Sequence, residues 1–298
     1  MTKLAFIGLG NMGAGMAANQ AKAGRDVCAF DISAAAMDRA AELGCRRAQS
    51  VADAVREADI VITMLPAGQH VRQVYAEEIA PAAKKGALLI DCSTIDVESA
   101  RAVAAQMREA GFRFADAPVS GGIMAANAGT LAFMVGCVEG DFAQIEEALK
   151  PMSRVTLRAG EFGAGQAAKI CNNMVLGISM LGICEAFALA EKLGLDPQRF
   201  YDIASKSSAQ CWSLTTYCPW PGPVPTAPSN RAYNDGFMTS LMLKDLKLAQ
   251  EAAAKAGAAA PMGAHAEGMF ALFERLGYGA KDFSAVLQLL RGDLDALS

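Results

Sequence analysis

LAFIGLGNMGAGMAANQAKAG, residues 4–24, decides the fold. An apolar run ends at Ile7, glycine stands at positions 8, 10 and 13, and an alanine-rich helical stretch follows. A bare G-x-G-x-x-G proves little, because glycine-rich turns are common. Here the setting is specific: a strand before it, a helix after it, and a second strand that ends in Asp31, eighteen residues beyond Gly13. In that setting Gly8 permits the tight turn, Gly10 lets the backbone approach a pyrophosphate, and Gly13 lets the helix pack close to the strand. Asn11 and Met12 complete the turn, and the helix N-terminus faces the negative charge. Asp31 can accept hydrogen bonds from an adenosine ribose and would repel a 2′-phosphate. No arginine follows it in DISAAAM, so the pattern reads as a site for NAD rather than NADP.

The same alternation continues outward from this unit. LAFIG (4–8), VCAFD (27–31), DIVITML (59–65), ALLIDC (87–92) and FRFADA (112–117) read as strands, with helical patterns such as 33–44 and 96–111 between them. Strands alternating with helices predict an α/β domain, a Rossmann-type doubly wound parallel sheet covered on both faces. TLAFMVG (130–136) and RVTLRA (154–159) extend that sheet. After GEFGAG (160–165) the strands stop, and the remainder reads as helical apart from the proline-rich loop CPWPGPVPTAPS (218–229). The expected division is an NAD-binding Rossmann domain over 1–163 and an all-α domain for substrate and dimerisation over 164–298, joined by a long helix.

Composition narrows the partners. Of 298 residues, 53% are hydrophobic and 19% charged, with a net charge of −4, which argues against nucleic acid or an anionic membrane as partner. MTKLAFIGLG leads straight into strand-like sequence and reads as having no secretory leader. The apolar stretch after Gly165 carries Asn172, Asn173 and Glu185, and reads as a buried core helix rather than a membrane span. Its apolar faces exceed what one small domain can cover, which predicts a homodimer or homotetramer. Eight cysteines include no C-x-x-C pair, and the two histidines, His70 and His265, lie far apart, so no metal site is expected. Reduced core cysteines suit a cytoplasmic setting.

The chemistry-bearing residues fall into three groups. TMLPAG (63–68) and DCSTI (91–95) lie just beyond strands, where doubly wound sheets bind ligands, making Leu65, Pro66 and Thr94 candidate cofactor contacts. In DAPVSGG (116–122), Ser120, Gly121 and Gly122 place a hydroxyl beside successive backbone N–H groups, which suits a carboxylate; the competing reading is a plain tight turn. In GQAAKICNNM (165–174), Lys169 and Asn173 are four apart and share a helix face, while Asn172 points about 100° away. A lysine screened from water has a lowered pKa and can exchange a proton near neutral pH. The alternative is a lysine in a solvated first turn, with Asn173 packed against backbone.

Taken together, FIGLGNMG, DAPVSGG, GAGQAAKICNNM and a C-terminal set (SSAQCWS at 207–213, YCPWPG at 217–222, GFMTSLMLKDLKLAQ at 236–250 and KDFSAVLQLL at 281–290) resemble the β-hydroxyacid dehydrogenase family over essentially the whole chain. The Cys-Trp-Ser segment, the Pro-Trp-Pro-Gly loop and KDFS resemble its hydroxyisobutyrate branch. The resemblance implies NAD-dependent oxidation of a small 3-hydroxy acid, 3-hydroxyisobutyrate to methylmalonate semialdehyde, a step of valine catabolism. It implies Lys169 as catalytic acid/base, Ser120, Gly121 and Gly122 as the carboxylate site, Asn173 orienting the substrate, and Lys244 near the nicotinamide with Asp245 supporting it. Ala209-Gln210 stand where relatives often carry Gly-Gly or Gly-Arg, which leaves substrate preference open among 3-hydroxypropionate, L-serine and tartronate semialdehyde. Lys169 argues against an imine reductase, and the combined site argues against a non-catalytic NAD sensor.

Overall fold

The computed structural model describes residues 2–297, and chain contacts divide it into two units, Met1–Lys169 and Ile170–Ser298. In the first unit, strands β1 (Lys3–Ile7), β2 (Asp26–Phe30), β3 (Arg46–Arg47), β4 (Ile60–Thr63), β5 (Leu88–Asp91) and β6 (Arg113–Asp116) run parallel in the order β3-β2-β1-β4-β5-β6. The strand order reverses beside β1, and the carboxyl ends of the strands at such a reversal are where doubly wound sheets hold ligands. Successive residues of β1 point to opposite faces: Leu4 and Phe6 join one core, Ala5 and Ile7 the other. Both faces therefore need helices. Helix α1 (Gly13–Lys22) covers the first with Met16 and Ala17, and α2 (Val97–Glu109) covers the second with Val103, Ala104 and Met107.

The far edge of the sheet departs from a purely parallel design. Strand β8 (Leu131–Gly136) runs antiparallel to both β6 and β7 (Val119–Ser120), and β9 (Ser153–Gly160) pairs parallel to β8. The pairs Asp116–Gly136, Val119–Phe133 and Ser120–Ala132 share one register, so β6 and β7 form a single strand interrupted at Ala117-Pro118. Proline has no N–H to give to a ladder, which accounts for the gap.

The long helix α3 (Ala164–Lys192) supplies the last residues of the first unit and the first of the second, so the division by chain contacts falls inside that helix, between Lys169 and Ile170. In the second unit α3 is followed by α4 (Thr239–Ala256) and α5 (Pro261–Phe273). A Cβ at Gly177 of α3 would meet Leu246 and Met242 of α4 at 3.2 Å, so glycine permits the close helix contact there. Met180, Cys184 and Phe187 of α3 join Met242, Leu246, Phe270 and Phe283 in one apolar core. By length and composition α3 could cross a membrane. Its core residues, together with the buried Gln166, Lys169 and Asn173, make it a helix of the protein interior. Among the described residues this unit has no regular strand, only an isolated bridge between Met238 and Asp282. The proline-rich loop is pinned where the Ser229 hydroxyl donates to the Cys218 carbonyl (2.8 Å) and the Tyr233 hydroxyl to that of Pro219 (2.9 Å).

Candidate active site

The turn from β1 into α1 is closed at two glycines and open at the third. Gly8 has φ +95°, and a Cβ there would lie 2.3 Å from the Met64 carbonyl oxygen; one at Gly13 would lie 2.0 Å from that of Gly8. At Gly10 it would meet nothing within 4 Å. Helix α1 has no acidic residue in its first turn and no side-chain cap, a helix start of the kind that favours an anion. Asn11 is exposed, and Met12 packs half-buried against the core. Asp31 follows β2 and is tied to the turn: Oδ2 accepts the Leu9 N–H (2.6 Å) and Oδ1 that of Ser33 (2.8 Å). Each oxygen keeps a further lone pair for a ribose hydroxyl. The open Gly10, the uncapped helix and this carboxylate fit a dinucleotide.

The turns after β4 and β5 are held together by buried hydrogen bonds. The Leu65 N–H donates to Ser93 Oγ (2.7 Å), and that hydroxyl donates to Asp91 Oδ1 (2.6 Å). Thr63 Oγ1 also donates to Asp91 (2.7 Å) and lies 3.0 Å from the Tyr75 hydroxyl, whose pKa burial pushes well up. Leu65, Pro66 and Thr94 thus project from one bonded frame.

Two buried polar side chains without a role in the sequence reading sit beside that frame. Asp116, the last residue of β6, accepts the N–H of Gly163 at Oδ1 (2.7 Å) and of Gln166 at Oδ2 (3.0 Å), filling the N-terminus of α3. Burial pushes its pKa up to about 6, against the pull of those N–H groups, with Asp91 adding to the rise. The Gln166 amide reaches the β5 turn: Oε1 accepts the Ile95 N–H (3.0 Å) and Nε2 donates to the Ser93 carbonyl (2.7 Å). The run of glycines before Gln166 was the available signal, because Gly165 lies so close to Asp116 and Met134 that no Cβ fits.

DAPVSGG is more ordered than a plain turn. Ser120 is paired in β7, and the special backbone begins only at Gly121 (φ +133°) and Gly122 (φ +70°), where a short helix, Gly122–Ala128, starts. Lys169 is 6% exposed, which removes the reading of a solvated first-turn lysine. It ends the first unit, one turn after the residues that Asp116 caps.

In the second unit, Asn173 (1% exposed) donates through Nδ2 to Asp245 Oδ2 (2.5 Å) and accepts at Oδ1 from Asn172 Nδ2 (3.0 Å). The amide is therefore aimed by a carboxylate on α4, beside the half-buried Lys244. Ala209 and Gln210 are exposed; further on, Trp212 stacks on Tyr217 at 4.7 Å, and the Tyr217 hydroxyl donates to the buried Asp282 (2.7 Å). Among the described residues no cluster of His, Cys, Asp and Glu could hold a metal ion.

Residues 3–161 match the family model described as the NAD-binding domain of 6-phosphogluconate dehydrogenase, and residues 163–290 match that of the NAD-binding of NADP-dependent 3-hydroxyisobutyrate dehydrogenase. The chain belongs to the β-hydroxyacid dehydrogenase family. Within it, the chain is 49% identical to a probable 3-hydroxyisobutyrate dehydrogenase of Mycobacterium tuberculosis, over 99% of this chain and 100% of that one. It is 46% identical to an NAD-dependent L-serine dehydrogenase of Pseudomonas aeruginosa, over 97% and 98%. A solved structure of M. tuberculosis 3-hydroxyisobutyrate dehydrogenase with L-serine is 48% identical, with a TM-score of 0.94 over 98% of this chain and 99% of that one. This β-hydroxyacid dehydrogenase is thus an NAD-binding oxidoreductase with a Rossmann domain and a helical C-terminal domain that begins with a long helix.

Proposed function

We propose that the enzyme oxidises 3-hydroxyisobutyrate to methylmalonate semialdehyde with NAD, the step that valine catabolism requires. The observation that carries the proton transfer is Lys169, a buried lysine one helical turn before an asparagine whose amide is aimed by Asp245, and the choice of substrate is supported by the 49% identical relative. When bound on Gly8, Gly10, Gly13 and Asp31, with Asn11 and Met12 in the same turn and Leu65, Pro66, Thr94 and Lys244 toward the nicotinamide end, NAD supplies the hydride acceptor. Ser120 and the N–H groups of Gly121 and Gly122 hold the substrate carboxylate. Lys169 Nζ, as the neutral amine, takes the hydroxyl proton as hydride departs from the same carbon, so that alcohol becomes aldehyde and the lysine becomes ammonium. Asn173 holds the reacting oxygen. Fixing these groups in place lowers the barrier by removing the entropy of assembling them.

L-serine is a second reading, favoured by the P. aeruginosa relative and by the serine in the M. tuberculosis structure. It carries an ammonium where 3-hydroxyisobutyrate carries a methyl group, so a pocket built for one leaves the other poorly matched. A panel of 3-hydroxyisobutyrate, L-serine, 3-hydroxypropionate and glycerate with NAD and NADP tests the proposal. The highest kcat/KM is expected for 3-hydroxyisobutyrate with NAD. A preference for L-serine selects the second reading, and no turnover of any 3-hydroxy acid rejects both.

Exposed Val175 (59%) and Leu189 (59%) on α3, with Leu193 (75%) just beyond its end, support a homodimer or homotetramer that buries them. A monomeric mass at micromolar concentration would refute that. Eight free cysteines fit a reducing, cytoplasmic setting.

A further inference from the structure

We propose that Gln166 is a positioning residue for the proton transfer assigned to Lys169: its side-chain amide locks the turn that carries Thr94 to the first turn of α3, and so sets where Lys169 stands against the cofactor side of the site. The inference rests on the reading of Lys169 given above. Gln166 is fully buried, and both polar ends of its amide are engaged, with the Ile95 N–H and the Ser93 carbonyl, the two residues that bracket Thr94. Its own N–H is held by Asp116. Lys169 follows three residues later on the same helix, so a shift of this turn carries Lys169 with it.

The seat leaves no slack. A Cβ at Gly165 would come within 2.3 Å of the Met134 carbonyl oxygen and 2.8 Å of Asp116 Oδ2, and one at Gly136 within 2.4 Å of Asp116 Oδ1. Backbone is pressed directly onto the Asp116 carboxylate from two sides, so the helix start cannot slide without breaking the bonds that hold it. Leucine at 166 would orphan a buried N–H and a buried carbonyl. An ionised glutamate would set negative charge against the Ser93 carbonyl. A protonated glutamate would restore the pattern, its O–H donating to Ser93 and its carbonyl accepting from Ile95. The other carboxylates facing this group are Asp116, through the Gln166 N–H, and Asp91, through Ser93; the nearest basic side chain on its own helix is Lys169, three residues on.

The test compares full-length Gln166→Leu, Gln166→Glu, Lys169→Ala and the native enzyme, with 3-hydroxyisobutyrate and L-serine as substrates, from pH 5.5 to 9. NADH binding and the thermal midpoint are measured on the same samples. Gln166→Leu is expected to lower kcat by about 10- to 100-fold while still folded, with KM changed less, because misplacement by about 1 Å costs turnover on that scale. In Gln166→Glu, the deficit relative to native enzyme at the same pH should narrow as pH falls, a comparison that cancels the titrations the two enzymes share. If Gln166→Leu does not fold, the pH profile of Gln166→Glu decides alone. Normal kcat in folded Gln166→Leu, or a deficit in Gln166→Glu that ignores pH, overturns the proposal. A Lys169→Ala enzyme with normal turnover overturns the Lys169 reading and this one together. An inactive Lys169→Ala enzyme beside a normal Gln166→Leu enzyme overturns this one alone.

Discussion

The first unit contains two strand–glycine–helix turns that solve the same problem in opposite ways. Between β1 and α1, Gly8, Gly10 and Gly13 bring the chain to a helix start that no side chain caps, and the space over Gly10 is open. Between β9 and α3, Gly160 and Gly163, both at positive φ, bring the chain to a helix start whose N–H groups are filled by the Asp116 carboxylate. Every helix N-terminus presents orphan donors that favour negative charge. One turn leaves its helix start without a carboxylate, as the proposed dinucleotide site requires; the other places the Asp116 carboxylate there, and what it gains is a fixed position for Gln166 and Lys169. Glycine-rich turns of similar appearance can therefore bind or position, and the deciding feature is whether a carboxylate from elsewhere in the sheet occupies the helix end.

The largest effect that would sharpen this contrast is expected at Gly13. A side chain there meets the Gly8 carbonyl at 2.0 Å, so Gly13→Val should cost about 4 kcal/mol or more, or prevent folding, as read by chemical denaturation. Asp116 comes next. Its pKa is raised from 3.8 to about 6 by burial, so the folded state binds a proton that the unfolded state releases. That group favours folding below pH 4, and the advantage is lost as pH rises through 6. The penalty at neutral pH is on the order of 3 kcal/mol. Asp116→Asn removes this dependence: the stability difference between variant and native protein should move in the variant's favour between pH 4 and pH 7. A difference that stays flat would mean that Asp116 ionises as in water.

Smallest in stability is Gly10→Ala. With nothing within 4 Å of the added Cβ, stability should change by less than about 0.5 kcal/mol. NADH binding should nevertheless weaken by about tenfold or more if Gly10 is where backbone approaches the pyrophosphate, as proposed. Unchanged affinity would break the comparison at its open end.

The parallel half of the sheet was readable because apolar strands alternate with helices and the glycine spacing names the turn. The direction of β8 was not, because a period of two residues marks a strand without its orientation, and the interruption at Ala117-Pro118 hides that β6 and β7 are one edge. Lys169 and Asn173 stood out as polar residues heading an apolar helix. Asp245, which holds Asn173, lies 72 positions away and became a partner only through the packing of α3 on α4. The preceding glycines marked a close approach, but the role of Gln166 was hidden for a similar reason: a glutamine in a first helical turn is ordinary until a turn 71 residues earlier is seen to need both ends of its amide.

If Lys169 moves the proton, replacing it by alanine removes the base from the site. Lys169→Ala is expected to lower kcat by at least about 10²-fold with NAD affinity nearly unchanged. The single ionisation through which native kcat/KM rises with pH should be absent from the variant. Near-normal turnover in Lys169→Ala, with that ionisation still present, would contradict it.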